Sequence, residues 1–293
     1  MGELYHYTNT DGVLGIVKQQ EHTIVLWFTY YKCLNDISEG IDFKNTYNSA
    51  CEEMLSDSEI THEEFTALTN IEFSDESITT YTNQEGITHL TTGINDYYIC
   101  CFCRNGDSLN MWRYYGNGET GYALGFLEQA LSKQTKIDHF SSSEEKIGSF
   151  SWYNVVYDDA EKKKMIKNGI LKTIKRIRLN PLSCPSLKSG ILLDLWAYRF
   201  AFKHSCFASE EEVRCVLSIP HEQIDVAGKN KFTIKYREKN GIIIPYIPIV
   251  FSHKALLSIK LSPTATKDAE TSLRYYTDGS TIRIDKSQLP IRF

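Results

Sequence analysis

The chain has 293 residues, a net charge of −5, 42% apolar and 12% aromatic side chains, the balance of an ordinary folded protein rather than of a disordered or collagen-like one. Its overall acidity gives no general attraction to nucleic acid. No run of about 18 apolar residues occurs, the longest candidate, Gly241 to Phe251, being broken by Pro245 and Pro248, and residues 1–20 lack the basic start and apolar run of a secretory signal. The expectation is a cytoplasmic protein without a membrane partner, whose eight cysteines are reduced thiols.

The first predicted element is the strand Leu4-Tyr5-His6-Tyr7-Thr8, in which alternation puts Tyr5 and Tyr7 on one face and His6 on the other. Residues 8–11 supply caps for a short helix carrying Val13, Leu14, Ile16 and Val17, so His6 stands at a strand-to-helix junction. A strand follows over 23–29, and then Leu34-Asn35-Asp36-Ile37-Ser38-Glu39-Gly40 opens a helix over 39–56. Asn35 or Asp36 caps that helix, or else Asp36 and Glu39 border a cleft. A second helix is predicted over 61–70 and a strand over 97–104. Cys100 and Cys103 in that strand have the spacing of a metal pair, but no second pair exists, so they read as small buried hydrophobes and no metal is expected.

Ser108 to Gly116 has the spacing of a short amphipathic helix with Ser108 at its N-cap, Leu109, Trp112 and Tyr115 turned inward, and Trp112 as a core anchor. Ser108 and Tyr115 are also placed to line a pocket for a flat ring. Strands over 121–126 and 149–157 precede a helix over 158–179, where Lys162, Lys163, Lys164, Lys167, Lys172, Lys175, Arg176 and Arg178 crowd around an Ile166, Ile170, Ile174 and Ile177 stripe. That basic face either meets phosphates or is simply solvated. After a helix over 189–204, Glu210-Glu211-Glu212 leads into a strand over 211–219, with Glu210 and Glu212 on one face, either as a chemical pair or as a solvated acidic turn. Strands over 232–236, 242–248, 256–261 and 280–284 and a helix over 265–276 complete the chain.

Helices and strands mixed without regular alternation argue for an α+β fold. Residues 1–293 are read as a single domain, with insertions expected at 52–93 and 129–188 and no repeat of fixed period.

Several spaced motifs, in one order along nearly the whole chain, are similar to those of a bacterial family of unknown function: Tyr5-His6-Tyr7-Thr8, Leu34-Asn35-Asp36 with Glu39-Gly40, Ser108-Leu109-Asn110-Met111-Trp112 with Tyr115-Gly116, Gly121 to Phe126, Glu210-Glu211-Glu212-Val213-Arg214, and Ile284-Asp285-Lys286-Ser287 with Pro290 and Arg292. More distantly, an opening strand histidine followed by a helix, and a late strand bearing a glutamate, resemble ADP-ribosyltransferases, among them nucleic-acid-modifying toxins and RNA 2'-phosphotransferases. This resemblance implies an ADP-ribosyltransferase-like split β-sheet core with helical insertions, and NAD as the substrate that donates ADP-ribose.

Transfer of ADP-ribose passes through an oxocarbenium-like state, which a preorganised carboxylate beside the ribose stabilises. By the resemblance, Glu212 is the catalytic carboxylate and Glu210 its acceptor-side partner, while His6 positions the ribose hydroxyls. Tyr7, Thr8, Ser108 and Tyr115 are the further cofactor-binding candidates, and Arg214 meets either a phosphate of NAD or a nearby carboxylate. The expected partners are NAD and a macromolecular acceptor, RNA or DNA in preference to protein, in a toxin or phage-defence setting that implies a possible antitoxin. The alternatives are an NAD-dependent RNA 2'-phosphotransferase and a non-catalytic nucleotide-binding module. The glycine-rich phosphate loop, the dinucleotide fingerprint and the nucleophile elbow are absent from the sequence.

Overall fold

A computed structural model describes residues 2–34, 40–74, 76–82, 88–116, 120–137, 148–180, 186–221, 224–225, 232–239 and 241–290. Asn35, Asp36, Glu39 and Arg292, singled out above, lie outside the described residues. The first half of the chain runs β1 (Glu3–Thr8), α1 (Thr10–Ile16), β2 (Val17–Lys18), β3 (Thr23–Tyr30), α2 (Ile41–Ser56), α3 (His62–Thr69), β4 (Glu76–Thr82), β5 (Thr88–Cys103), α4 (Leu109–Tyr115) and β6 (Tyr122–Leu127). Next come α5 (Glu128–Ile137), β7 (Ser149–Asn154), α6 (Asp159–Leu179), α7 (Leu187–Asp194), β8 (Glu212–Pro220), β9 (Ile224–Asp225) and β10 (Phe232–Thr233). The chain finishes with β11 (Lys235–Lys239), β12 (Ile242–Ser252), β13 (Leu256–Leu261), α8 (Lys267–Tyr276) and β14 (Arg283–Lys286). The architecture is the mixed α+β one expected, built on a single large sheet.

Among the described residues, twelve strands form that sheet, in the order β11-β12-β3-β5-β1-β6-β13-β14, with β2 on β3, β4 on β5, and β8 carrying β7 alongside β5. β5 organises it. One edge of β5 pairs with β8 without interruption from Asn95↔Pro220 to Cys103↔Glu212. The other edge takes β3 only at Tyr30↔Tyr98 and Thr29↔Ile99, and β1 only at Tyr5↔Cys103. Between those contacts, over residues 100–102, neither strand completes the ladder, and the sheet opens there into two wings, β3-β12-β11 and β1-β6-β13-β14.

One face of the sheet carries the main core, in which Leu4, Leu26, Phe28, Phe102, Leu124, Phe126, Cys215 and Leu217 meet Val13 and Ile16 of α1, Leu131 of α5 and Leu273 of α8. On the opposite face, Tyr97, Ile99 and Val216 pack with Phe200, and Tyr7 and Cys103 pack with Met111 and Trp112 of α4. A separate helical core joins α2, α3, α6 and α7 through Phe43, Tyr47, Met54, Leu68, Ile166, Ile170 and Ile191. Capping fixes these helices locally: Asp158 accepts from the Glu161 amide at 2.8 Å to start α6, and Thr61 and Glu64 form a reciprocal capping box on α3.

Three stretches read from the sequence take the following form in the structure. The stretch 52–93 contains α3 and the β4–β5 hairpin, and the stretch 129–188 contains β7, which pairs with β8 from Ser149↔Ser218 to Asn154↔Val213 and so belongs to the sheet. The helix predicted over 189–204 ends at Asp194 and continues as a tighter turn over Trp196–Phe200. The basic face of α6 is largely neutralised within the fold. Fully buried Lys162 bonds Asp42 at 2.8 Å and Asp159 at 3.0 Å, Lys167 lies among Glu53, Asp57 and Glu59, Arg176 pairs with Asp194 at 2.8 Å, and Arg178 with Glu64 at 2.8 Å. These cations join α6 to the acidic residues of α2, α3 and α7, which leaves Lys164, Lys172 and Lys175 exposed.

Candidate active site

Glu210 and Glu212 do not share a strand face as expected; Glu210 closes a 3₁₀ turn over Ser205–Glu210, and β8 begins only at Glu212. Glu211 between them adopts the left-handed conformation, φ 45°, at a cost of about 1–2 kcal/mol for a residue with a Cβ. Its carbonyl accepts from the Arg104 amide at 3.0 Å, and the Glu212 amide donates to the Tyr157 hydroxyl at 2.9 Å, so the reversal is tied on both sides. The outcome is convergence: both carboxylates reach the ammonium of Lys203, Glu210 at 2.5 Å and Glu212 at 3.0 Å.

Arg214 completes the cluster, donating from Nε to Glu212 Oε1 at 3.0 Å, from Nη2 to Glu212 Oε2 at 3.0 Å and from Nη1 to the Phe200 carbonyl at 3.1 Å. Tyr115 donates to Glu210 Oε1 at 3.0 Å. Lys203, Glu210, Glu212 and Arg214 are all buried, with Arg214 only 1% exposed. Burial alone would raise the Glu212 pKa, but Arg214 and Lys203 outweigh it and bring the carboxyl from 4.5 to about 2. Lys203 likewise loses hydration yet is held well above the ordinary lysine value by Glu212 and Glu210. Two anions and two cations thus neutralise one another in the interior, an arrangement that fixes geometry more than it adds stability.

His6 stands elsewhere. Because ladder partners share a face, Tyr5, Cys103 and Glu212 point to one side of the sheet and His6 to the other, where its ring meets Phe102 edge-on at 6.1 Å. Half-buried His6 donates Nδ1–H to the Cys101 carbonyl at 2.8 Å, leaving Nε2 as an acceptor. Burial, with Arg237 and Lys239 adding to it, lowers its pKa and keeps the ring neutral. Cys101 is the link between the two groups, since its side chain also helps to lower the Glu212 pKa. His6 and Glu212 therefore flank one residue of β5 without facing each other across an open cavity.

The other expected cofactor contacts are engaged within the protein. The Tyr7 hydroxyl donates to the Asn105 carbonyl at 3.0 Å and accepts from the Ser108 amide at 2.9 Å, while its ring packs edge-on to Trp112 at 4.7 Å. Thr8 lies against the first turn of α1, so close that a Cβ on Gly12 would fall 1.7 Å from its hydroxyl. Ser108 occupies the N-cap of α4 but its side chain makes no cap bond. Tyr115 serves Glu210, and Arg214 takes the carboxylate option rather than the phosphate one. Trp112 is fully buried and donates Nε1–H to Asp107 at 2.8 Å, as a core anchor does.

Lys203, Tyr157, Cys101, Arg237 and Lys239 were not legible as site residues. Lys203 is a single lysine outside any periodic pattern, whereas Lys235, Arg237 and Lys239 alternate along β11, a signal of one cationic strand face. Cys100 and Cys103 fall on opposite faces by the same alternation, both with thiols pushed up to about 12 by burial. Among the described residues no group of His, Cys, Asp and Glu has metal-holding geometry, and no helix is long and apolar enough to cross a membrane.

Comparison with known proteins adds one finding: residues 111–215, from α4 through the acid cluster into β8, match a family described as a protein of unknown function (DUF2971). No curated protein and no solved structure matches the chain.

Proposed function

We propose that the opening along β5 is a dinucleotide cleft and that the protein is an NAD-dependent ADP-ribosyltransferase acting on a macromolecule. The observation that carries this reading is the position of Cys101 where the two wings part, its carbonyl holding His6 and its strand face carrying the ionised Glu212. In the reaction the bond from ribose C1' to the nicotinamide nitrogen breaks, nicotinamide leaves with the electron pair, and an acceptor atom forms the new bond to C1' and gives up its proton. Glu212, ionised across the whole physiological range, supplies negative charge next to the developing oxocarbenium ion. His6 positions β5 from the other face through its bond to the Cys101 carbonyl, and Glu210 receives the acceptor proton.

The test is incubation of the intact protein with labelled NAD and separate pools of RNA, DNA and protein, with nicotinamide release measured in parallel. Transfer by the wild type, abolished in Glu212→Gln and strongly reduced in His6→Ala while both variants keep native circular dichroism, is the expected result. Absence of NAD binding by the wild type, or transfer by folded Glu212→Gln at the wild-type rate, overturns it. A second reading, a non-catalytic nucleotide-binding module, is favoured by the saturation of Glu212 with Arg214 and Lys203. NAD binding without nicotinamide release in the presence of all three pools selects that reading.

A further inference from the structure

Beside the opening, on the wing farther from His6, the guanidinium of Arg237 lies over the rings of Trp27, at 5.2 Å, and Tyr246, at 5.7 Å, which themselves pack at 5.0 Å. Arg237 Nη2 donates to the hydroxyl of Thr29, the residue of β3 paired with Ile99 at the last rung before the sheet opens. No carboxylate pairs with Arg237 among the described residues, and its Nε is buried without a hydrogen-bond partner. Lys239 follows on the same face of β11, two residues nearer the strand end.

A half-buried arginine without an anionic partner is costly, and its aromatic supports fix the plane of its donors. Trp27 is held in turn by α1, where a Cβ on Gly15 would fall 2.5 Å from its ring. The arrangement is cationic and braced by aromatic rings.

We propose that Arg237, with Lys239, forms a phosphate-binding subsite of this cleft, receiving the pyrophosphate of a nucleotide diphosphate. The inference rests on the dinucleotide reading and assigns that ligand's phosphates to β11. Titration calorimetry on the intact chain tests it with three probes: NAD, ADP, and nicotinamide riboside, which carries no phosphate. Arg237→Gln and Lys239→Gln are each expected to weaken ADP and NAD about tenfold, the loss of one charged hydrogen bond, and to leave nicotinamide riboside unchanged. Lys239 is exposed, so its variant keeps the test open should Arg237→Gln fail to fold. Wild-type affinity for ADP and NAD in both variants, or equal weakening of the phosphate-free probe, overturns the subsite. NAD binding that is insensitive to both substitutions removes the subsite and leaves the proposed function standing, whereas ADP bound through Arg237 without any NAD binding does the reverse. Failure of the wild type to bind either ADP or NAD overturns both.

Discussion

Glu212→Gln preserves the shape of the side chain and removes the charge that Arg214 and Lys203 surround, each at 3.0 Å. In the folded protein that carboxyl titrates at about 2 rather than 4.5, because the two cations more than reverse the effect of burial. At about 1.4 kcal/mol per pH decade this difference is worth about 3 kcal/mol in favour of the folded, ionised state. A carboxyl whose folded pKa is depressed gives its full stabilisation above the unfolded value and loses it as the pH falls through the folded one. The wild type should therefore lose this contribution between 4.5 and about 2, a slope that the variant lacks. At neutral pH the variant should be less stable by about 3 kcal/mol, close to the ~3–5 kcal/mol typical when one member of a buried ion pair is removed. For a chain of this size that corresponds to a midpoint lowered by roughly 5–10 °C. Thermal and urea unfolding followed by circular dichroism, at neutral pH and in acid, measure both quantities. Equal midpoints at neutral pH, or a gap that does not narrow in acid, would refute the assignment of stabilising charge to Glu212.

Two further substitutions test packing around the same region. Trp112→Ala removes a fully buried ring and the bond from its Nε1 to Asp107, and should cost about 3–5 kcal/mol in urea unfolding; a loss under about 1 kcal/mol would contradict the role of α4 as a plug on that face. Gly121→Ala would place a Cβ 2.1 Å from the Gly116 carbonyl oxygen and 2.5 Å from its Cα, backbone atoms that cannot swing aside. A destabilisation of at least about 2 kcal/mol is expected, and an unchanged midpoint would show that the turn into β6 can yield.

Local patterning carried much of the fold. Alternation in Tyr5-His6-Tyr7 assigned the faces of β1 correctly, the isoleucine stripe marked α6, and Trp112 took its place in the core. Local patterning did not reveal α5, whose amphipathic signal falls within a stretch read as an insertion, or β4, which pairs with β5. The acid pair was legible as two carboxylates in a row, but not its geometry. The left-handed Glu211 breaks the alternation, and the partners Lys203 and Tyr157 arrive from turns that no periodicity marks. The basic helix shows the same limit from another side, since the lysines of α6 are visible in sequence while the acids that neutralise them lie on other helices.

The shared strand has a kinetic consequence. The acid cluster closes over short spans, nine residues between Lys203 and Glu212 and two between Glu212 and Arg214, and can assemble as soon as that stretch collapses. The opening beside it closes over 95 residues from His6 to Cys101, and its far wall over 208 from Thr29 to Arg237. Chain closure over such distances is slow, and β5 must wait for β8 with hydrogen-bonding groups uncovered. During synthesis this central strand emerges well before its longest partner, so the nascent chain depends on being shielded from other molecules for as long as the ribosome takes to reach β8.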